Sequence, residues 1–297
     1  DTCRRQRQMC IRDRPLLVER SRIDHIKPGN LDDDFNEIKD ADWVIEAVVE
    51  RIDIKHKLYS QIDKVRSPNS IISSNTSTIP LSILTQEMSD SMKADFCITH
   101  FFNPVRFMRL LEIVETPTIN KDKMEGLRDF CKNELGKGIV NCNDTPGFIG
   151  NRIGVYAMQV AMYEALERGL PVEIADALFG RPLGIPKTGV FGLYDLIGID
   201  LMKDVLASFK KELQENDPFM DVVKPHPLVE QLLEKGFNGN KGPGGFYQTT
   251  IVEGDEHVKA MNTSDMSYYD FDKVDLEIAR RVEKEGIKAL LDDDSEY

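Results

Sequence analysis

The chain of 297 residues is long enough for two domains with separate hydrophobic cores. Its composition, 41% hydrophobic and 30% charged, is that of an ordinary globular protein, and no apolar run approaches the roughly 18 residues of a membrane span. The net charge of −13 argues against nucleic acid as a partner.

The five cysteines are scattered along the chain. They form no CxxC pair, and no histidine lies nearby at the spacing of metal ligands. Such thiols are typical of a reducing compartment, so we expect cytoplasmic localisation, no disulfide framework and no bound metal. The cysteines are Cys3, Cys10, Cys97, Cys131 and Cys142.

The first 14 residues differ from the rest of the chain. They contain five arginines and two aspartates without apolar periodicity, and we interpret residues 1–14 as foreign or unstructured. From Pro15 onward the sequence has the pattern of a folded domain. Residues 16–19 are predicted to end a helix, and residues 22–26 are predicted to form a short strand.

Residues 15–144 have the alternating pattern of a doubly wound α/β domain. Residues 41–50 are a nearly continuous apolar run bounded by charge, as expected for a parallel strand covered on both faces. Strands and helices then alternate at the spacing of βαβ units. The further predicted elements are helix 54–65, strand 70–74, a helix that Pro80 opens, strands containing His100 and Glu112, helix 121–135 and strand 138–141.

Polar side chains lie where three of the predicted strands end. Glu50 ends one strand, Asn75 to Ser77 follow the next, and His100 lies at the end of a third. Open α/β sheets bind ligands at the carboxyl ends of their strands, so we predict a binding site at this edge.

One histidine and one carboxylate in this region, His100 and Glu112, could together form an oriented general base. Glu112 follows His100 by twelve residues and lies among leucine, isoleucine and valine. A carboxylate that binds an imidazole fixes its tautomer and stabilises the imidazolium that forms when the ring takes a proton. The alternative is a buried structural histidine and a glutamate that faces solvent.

The glycine-rich start of a dinucleotide-binding fold is missing from this sequence. That fold opens with a strand, a GxGxxG turn and a helix whose N-terminus holds the pyrophosphate, and no GxGxxG precedes Glu50. Either the domain is another α/β type or its first βαβ unit is absent. The foreign-looking start favours truncation.

Residues 145–250 are predicted to form an all-α domain. Thr145 is a plausible N-cap for a helix that runs to Arg168 and presents Asn151 in its first turns. The glycine-dense residues 237–247 lack the GK[ST] ending of a phosphate loop and indicate a structural turn. Residues 251–297 are interpreted as an acidic linker or the start of a further domain. The other predicted segments are helices 172–179, 193–215 and 227–235, a Gly/Pro-rich elbow at 181–192 and an amphipathic stretch at 274–291.

Six of these motifs together resemble the 3-hydroxyacyl-CoA dehydrogenase family over residues 22–247. Each motif alone is weak, whereas six in the family's order and approximate spacing are specific. The resemblance implies a truncated Rossmann-type dinucleotide-binding domain followed by an all-α C-terminal domain. The motifs are Ile45-Glu-Ala-Val-Val-Glu50, Ser74-Asn-Thr-Ser77, Thr99-His-Phe-Phe-Asn-Pro104, Leu111-Glu-Ile-Val114, Asp144-Thr-Pro-Gly-Phe-Ile-Gly-Asn-Arg152 and Gly239-Asn-Lys-Gly-Pro-Gly-Gly-Phe-Tyr247.

The resemblance implies oxidation of (S)-3-hydroxyacyl-CoA to 3-oxoacyl-CoA with NAD in fatty-acid β-oxidation. His100 matches the family's catalytic base and Glu112 its orienting carboxylate. Ser77 matches a serine that contacts nicotinamide and substrate, and Asn151 matches an active-site asparagine. The cofactor-binding set implied at the same edge is Glu50, Lys55, Asn75, Ser77 and Asn103.

Two alternatives keep the same fold. One is an acetoacetyl-CoA reductase that uses NADPH, and the other is a fragment made inert by loss of the glycine loop. The resemblance also implies a homodimer formed through the helical domain. Residues 184–200 and the acidic continuation are similar to bacterial multidomain relatives, in which an enoyl-CoA hydratase-like domain follows the dehydrogenase.

Overall fold

A computed structural model describes residues 20–183, 188–224, 226–252, 255–272, 274 and 276–286. The chain divides into two compact units, Asp1–Gly150 and Asn151–Tyr297. Among the described residues, no helix is long and apolar enough to cross a membrane. The helix end predicted at residues 16–19 lies outside the described residues.

The first unit contains a five-stranded sheet in the order β1-β2-β3-β4-β5. Strands β1, β2 and β3 are parallel, β4 runs antiparallel to β3, and β5 is parallel to β4. The carboxyl ends of β1 to β3 therefore meet at one edge, as predicted. The strands are β1 (Trp43–Glu46), β2 (Ile71–Ser74), β3 (Phe96–Phe101), β4 (Leu110–Glu115) and β5 (Gly138–Asn141).

Helices cover both faces of this sheet, which confirms the doubly wound α/β prediction. One hydrophobic core contains Tyr59, Leu84 and Phe96, and the other contains Cys97 and Leu127. Strand β2 is buried at every position because it lies between these two cores. The helices are α1 (Ile52–Val65), α2 (Leu81–Leu84), α3 (Asp90–Ala94) and α4 (Lys121–Asp129), which continues as a π-helix over Phe130–Glu134.

Two strand predictions in this unit are wrong. Residues 22–26 do not form a strand, because Arg20–His25 is a 3₁₀ helix with largely exposed residues. The strand predicted over residues 41–50 ends at Glu46. The Glu46 carboxylate accepts a hydrogen bond of 2.7 Å from the backbone N–H of Val48, which turns the chain out of the sheet.

The second unit is mainly helical, as predicted. A core that includes Tyr194, Phe209 and Phe246 joins its helices. The helix predicted over residues 193–215 is two helices, because Gly198 adopts a φ of 101° that ends one and begins the next. The helices are α5 (Gly150–Glu167), α6 (Val172–Leu178), α7 (Phe191–Ile197), α8 (Ile199–Glu212), α9 (Pro227–Glu234) and α10 (Glu277–Glu285).

An antiparallel sheet lies between helices α9 and α10 in the chain, and the sequence pattern did not predict it. Its strands are β6 (Tyr247–Val252), β7 (Asp255–Met261) and β8 (Tyr268–Tyr269). The description of residues 251–297 as a linker is therefore wrong for this part. Most side chains of β6 and β7 are exposed, and only Ala260 and Met261 are fully buried, so no apolar alternation marked the strands.

The long helix α5 begins at Gly150, five residues after the N-cap predicted at Thr145. The preceding Asp144 is bound to the first unit, where its carboxylate accepts the N–H groups of Leu81 at 2.5 Å and Ser82 at 2.8 Å. Glu112 of the same unit accepts the N–H groups of Ile149 and Gly150, and the first unit ends at Gly150.

The glycine-dense residues 237–247 form a structural turn around one buried carboxyl group. Asp195 accepts the N–H groups of Phe246 at 3.0 Å and Tyr247 at 2.7 Å, and its backbone carbonyl accepts the N–H of Asn240 at 2.9 Å. Burial raises the pKa of the Asp195 carboxyl to about 7, against the lowering effect of the two N–H donors. Gly245 lies so close to Asp195 that a Cβ atom there would overlap the carboxyl group.

This close approach predicts the effect of Gly245→Ala. The added methyl group must displace Asp195 or the turn, and overpacking of this kind typically costs about 1–3 kcal/mol of unfolding free energy. Thermal and denaturant unfolding measure the loss. The matched control is Gly154→Ala in helix α5, where nothing lies within 4 Å of the added atom, and a helical alanine should stabilise by about 0.5–1 kcal/mol. Equal effects of the two substitutions would contradict this account of the turn.

Candidate active site

The antiparallel pairing of β3 and β4 places His100 directly opposite Glu112. The His100 Nδ1 atom lies 2.7 Å from Glu112 Oε2, and both side chains are buried. A carboxylate can only accept hydrogen bonds, so Nδ1 bears the proton and the neutral ring keeps a free lone pair on Nε2. The pair has the arrangement of an oriented base.

The second oxygen of Glu112 binds the chain just before helix α5. It accepts the N–H of Ile149 at 2.9 Å and that of Gly150 at 2.6 Å. Burial by itself disfavours the charged form, but the hydrogen bond from His100 and the two backbone N–H groups lower the pKa of Glu112 below its usual value. Glu112 is therefore an ionised carboxylate in a fixed orientation.

The other side of the imidazole faces Ser77. The Ser77 Oγ atom lies 3.1 Å from His100 Nε2, the nitrogen that accepts. The ring of Phe102 lies edge-on to the imidazole with centroids 4.6 Å apart, and Phe148 is tilted against it at 5.5 Å. These aromatic walls limit the access of water to the pair.

The loop that contains Ser77 is held by Glu50. The Glu50 Oε1 atom accepts the N–H groups of Ser77 at 3.1 Å and Thr78 at 3.3 Å, and it also accepts the hydroxyl of Thr76. Burial raises the pKa of Glu50, but these donors and the neighbouring ammonium of Lys55 together lower it below its usual value. The Glu50 side chain stays 37% exposed.

Lys55 is far more buried than its predicted role in cofactor contact suggested. Only 1% of its side chain is exposed, and its ammonium lies between the carboxylates of Glu46 at 2.8 Å and Glu50 at 3.1 Å. The sequence pattern did not single out Glu46 as a site residue. The motif contains two glutamates, and the first lies at an inward position of a strand, where an ionised side chain needs a buried partner.

Asn75 connects the three parallel strands at the same edge. Its side-chain oxygen accepts the N–H of Phe101 at 3.0 Å, and its own N–H donates to the Glu46 carbonyl at 2.8 Å. Asn103 is exposed beyond the end of β3. Asn151 belongs to the second unit, in the first turn of helix α5. The first unit thus brings together His100, Glu112, Ser77, Glu50, Lys55 and Asn75.

Within the described residues, no group of three or more histidine, cysteine, aspartate and glutamate side chains could hold a metal ion. The oriented imidazole of His100 gives this edge the parts needed for proton transfer.

Two family models together match the part of the chain in which the six motifs lie. Residues 6–145 match the NAD binding domain of 3-hydroxyacyl-CoA dehydrogenase, and residues 147–249 match its C-terminal domain. A probable 3-hydroxyacyl-CoA dehydrogenase of Deinococcus radiodurans is 34% identical over 83% of this chain and 70% of its own length.

Other relatives are similar over the same region. A putative fatty acid oxidation complex trifunctional enzyme of Rickettsia felis is 40% identical over 88% of this chain, which corresponds to 36% of that protein. The chain thus spans only about a third of the length of that relative. The solved structure of (S)-3-hydroxybutyryl-CoA dehydrogenase from Ralstonia eutropha superposes with a TM-score of 0.64 at 27% identity, over 82% of each chain.

The lowered pKa of Glu112 predicts a pH-dependent effect of Glu112→Gln on stability. A folded-state pKa below the usual value near 4.5 stabilises the fold above that pH, and this contribution disappears as the pH falls through the folded-state value. At neutral pH the substitution should lower the unfolding free energy by about 1–3 kcal/mol, because it leaves the buried donors poorly paired.

Denaturant unfolding at several pH values measures this difference. Glu125→Gln, at an exposed position of helix α4, is the control and should change the unfolding free energy by less than about 0.5 kcal/mol. A Glu112→Gln effect that stays constant from neutral pH to pH values well below 4.5 would contradict the assignment of Glu112 as a stabilised carboxylate.

Proposed function

Because the chain belongs to the 3-hydroxyacyl-CoA dehydrogenase family, we propose that the natural full-length protein oxidises (S)-3-hydroxyacyl-CoA to 3-oxoacyl-CoA with NAD. The observation that best supports this proposal is the line from Ser77 through His100 to Glu112, with heavy-atom distances of 3.1 Å and 2.7 Å. The line provides an oriented imidazole whose outer nitrogen can accept a proton.

The edge residues fit a bound nicotinamide nucleotide. Glu50 is an ionised and partly exposed carboxylate, a group that accepts hydrogen bonds from ribose hydroxyls. Lys55 is enclosed by two carboxylates, so we propose that it does not touch the cofactor itself but holds Glu50, which does. Asn103 is an exposed amide at the same edge, where it would contact the nicotinamide region.

His100 has the central role in the proposed reaction. Its Nε2 atom accepts the proton of the substrate hydroxyl as the C–O bond becomes a carbonyl, and Glu112 stabilises the resulting imidazolium through Nδ1–H. NAD, when bound, supplies the acceptor for the hydride that leaves the same carbon. Ser77 would hold the hydroxyl beside Nε2, and Asn151 would hold the thioester carbonyl.

Further properties of the whole protein are also proposals. The name of the Rickettsia felis relative supports a place in fatty-acid oxidation and a fusion to further domains, for which we propose an enoyl-CoA hydratase-like domain. We also propose a homodimer formed through the helical unit, and this proposal rests on the family resemblance. The free thiols Cys97, Cys131 and Cys142 support a reducing compartment, and we propose the cytoplasm.

The proposed base predicts the effect of His100→Ala in the full-length natural protein. The readout is NADH oxidation with acetoacetyl-CoA, which is the reverse reaction. Loss of general acid–base catalysis should lower kcat by about 10²- to 10⁴-fold. NADPH in place of NADH should support a much lower rate.

The control is His257→Ala, because His257 is an exposed histidine in strand β7. Its kcat should equal that of the unsubstituted protein. Full activity of a folded His100→Ala variant would exclude His100 as the base. No activity in the unsubstituted, folded protein would refute the proposed reaction.

A further inference from the structure

Glu46 is a buried carboxylate with four hydrogen-bond donors. Lys55 Nζ binds both of its oxygens at 2.8 Å and 2.9 Å, and the backbone N–H of Val48 donates to Oε1 at 2.7 Å. The hydroxyls of Tyr59 at 2.7 Å and Ser74 at 2.6 Å donate to Oε2. A carboxylate has about four lone-pair positions, and these donors fill them. Glu46 therefore cannot accept a further hydrogen bond from a ligand.

Two of the carboxylates in this region share the same ammonium group. Lys55 binds Glu46 on one side and Glu50 on the other, and its side chain is 1% exposed. In such a buried position an ammonium held by one carboxylate alone would draw that carboxylate closer. Glu46 thus supplies the second ion pair of Lys55, while Glu50 binds the loop after β2 with its other oxygen.

That other oxygen of Glu50 fixes the loop beside the imidazole. It accepts the N–H groups of Ser77 and Thr78, and the hydroxyl of Ser77 lies 3.1 Å from His100 Nε2. A continuous series of hydrogen-bond and ion-pair contacts thus leads from the end of β1 to the proposed base.

We propose that Glu46 is a positioning residue for the reaction: through two intervening side chains it holds Ser77 beside His100. This role rests on the dehydrogenase function proposed above. It explains why a second carboxylate is buried at the end of β1, where a hydrophobic residue would satisfy packing alone.

Glu46→Gln in the full-length natural protein tests this role. The substitution keeps the shape and removes the charge, so Glu50 should shift toward Lys55 and release the loop. The expected results are a fall in kcat of about 10- to 100-fold with little change in the KM for acetoacetyl-CoA, and faster hydrogen exchange of the Ser77 and Thr78 amides.

The matched control is Tyr59→Phe. It removes one donor from Glu46 but leaves the contacts of Lys55, Glu50 and the loop in place. Tyr59→Phe should lower stability while kcat and the two amide exchange rates remain those of the unsubstituted protein. Glu46→Asp keeps the charge on a shorter side chain, so its kcat should lie between that of Glu46→Gln and that of the unsubstituted protein.

The outcomes separate this inference from the proposed function. If the unsubstituted protein is active and Glu46→Gln lowers only stability, the positioning role is wrong and the dehydrogenase function stands. If the unsubstituted protein is inactive, the proposed function fails, and the amide exchange rates still decide whether Glu46 holds the loop. Equal exchange at Ser77 in Glu46→Gln and Tyr59→Phe overturns the proposal.

If Glu46→Gln does not fold, Glu46→Asp replaces it as the test variant. The shorter side chain should then lower kcat by about 3- to 10-fold and speed the hydrogen exchange of the Ser77 and Thr78 amides less than Glu46→Gln would. The reason is that a shift of less than about 1 Å still moves Ser77 away from its position beside His100. Unchanged kcat and unchanged exchange at Ser77 and Thr78 in Glu46→Asp would overturn the positioning role.

Discussion

The ionised carboxylate of Glu112 is the constraint on which the active-site half of the molecule depends. Burial of such a group is costly unless donors surround it, and here the donors come from the imidazole of His100 and the backbone at Ile149 and Gly150. The same contacts that stabilise the charge also fix the tautomer of the histidine and the start of a long helix. Stability and the orientation of the proposed base therefore have one cause.

Carboxyl groups organise loops at other places in the structure in the same way. Glu50 accepts N–H groups from the loop after β2, and Asp195 accepts them from the glycine-dense turn of the second unit. Asp176 accepts the N–H groups of Phe191 and Gly192, with its pKa raised to about 6 by burial. In each case backbone donors that secondary structure leaves unpaired are satisfied by one side chain.

Much of the first unit could be predicted because its signals are local. Buried parallel strands produce apolar runs, and polar residues after such runs mark the ligand-binding edge of the sheet. This reasoning placed Glu50, Ser77 and His100 at one edge, and in the structure Ser77 contacts both of the others. The NAD-binding domain was identified from motifs, which preserve side-chain spacing even where the glycine loop is missing.

The remaining features could not be predicted because they depend on contacts distant in sequence or on strands whose side chains are largely exposed. Glu46 and Glu50 stand in one motif, and only the three-dimensional position of Lys55 shows that the first is buried and the second is open to a ligand. The strands β6 and β7 are largely exposed, so their sequence shows no apolar alternation. The start of helix α5 is held by Glu112, which accepts the N–H groups of Ile149 and Gly150, 37 and 38 residues away.

Glu112 holds His100 with its proton on Nδ1, which leaves the lone pair of Nε2 facing Ser77. Nuclear magnetic resonance of the protein labelled with ¹⁵N-histidine measures this directly, with the His100 signals identified by their loss in His100→Gln. In the neutral ring we expect a protonated Nδ1 and an unprotonated Nε2. A neutral His100 ring with its proton on Nε2 would contradict the assigned hydrogen bond to Glu112 and exclude this nitrogen as the acceptor of the substrate proton.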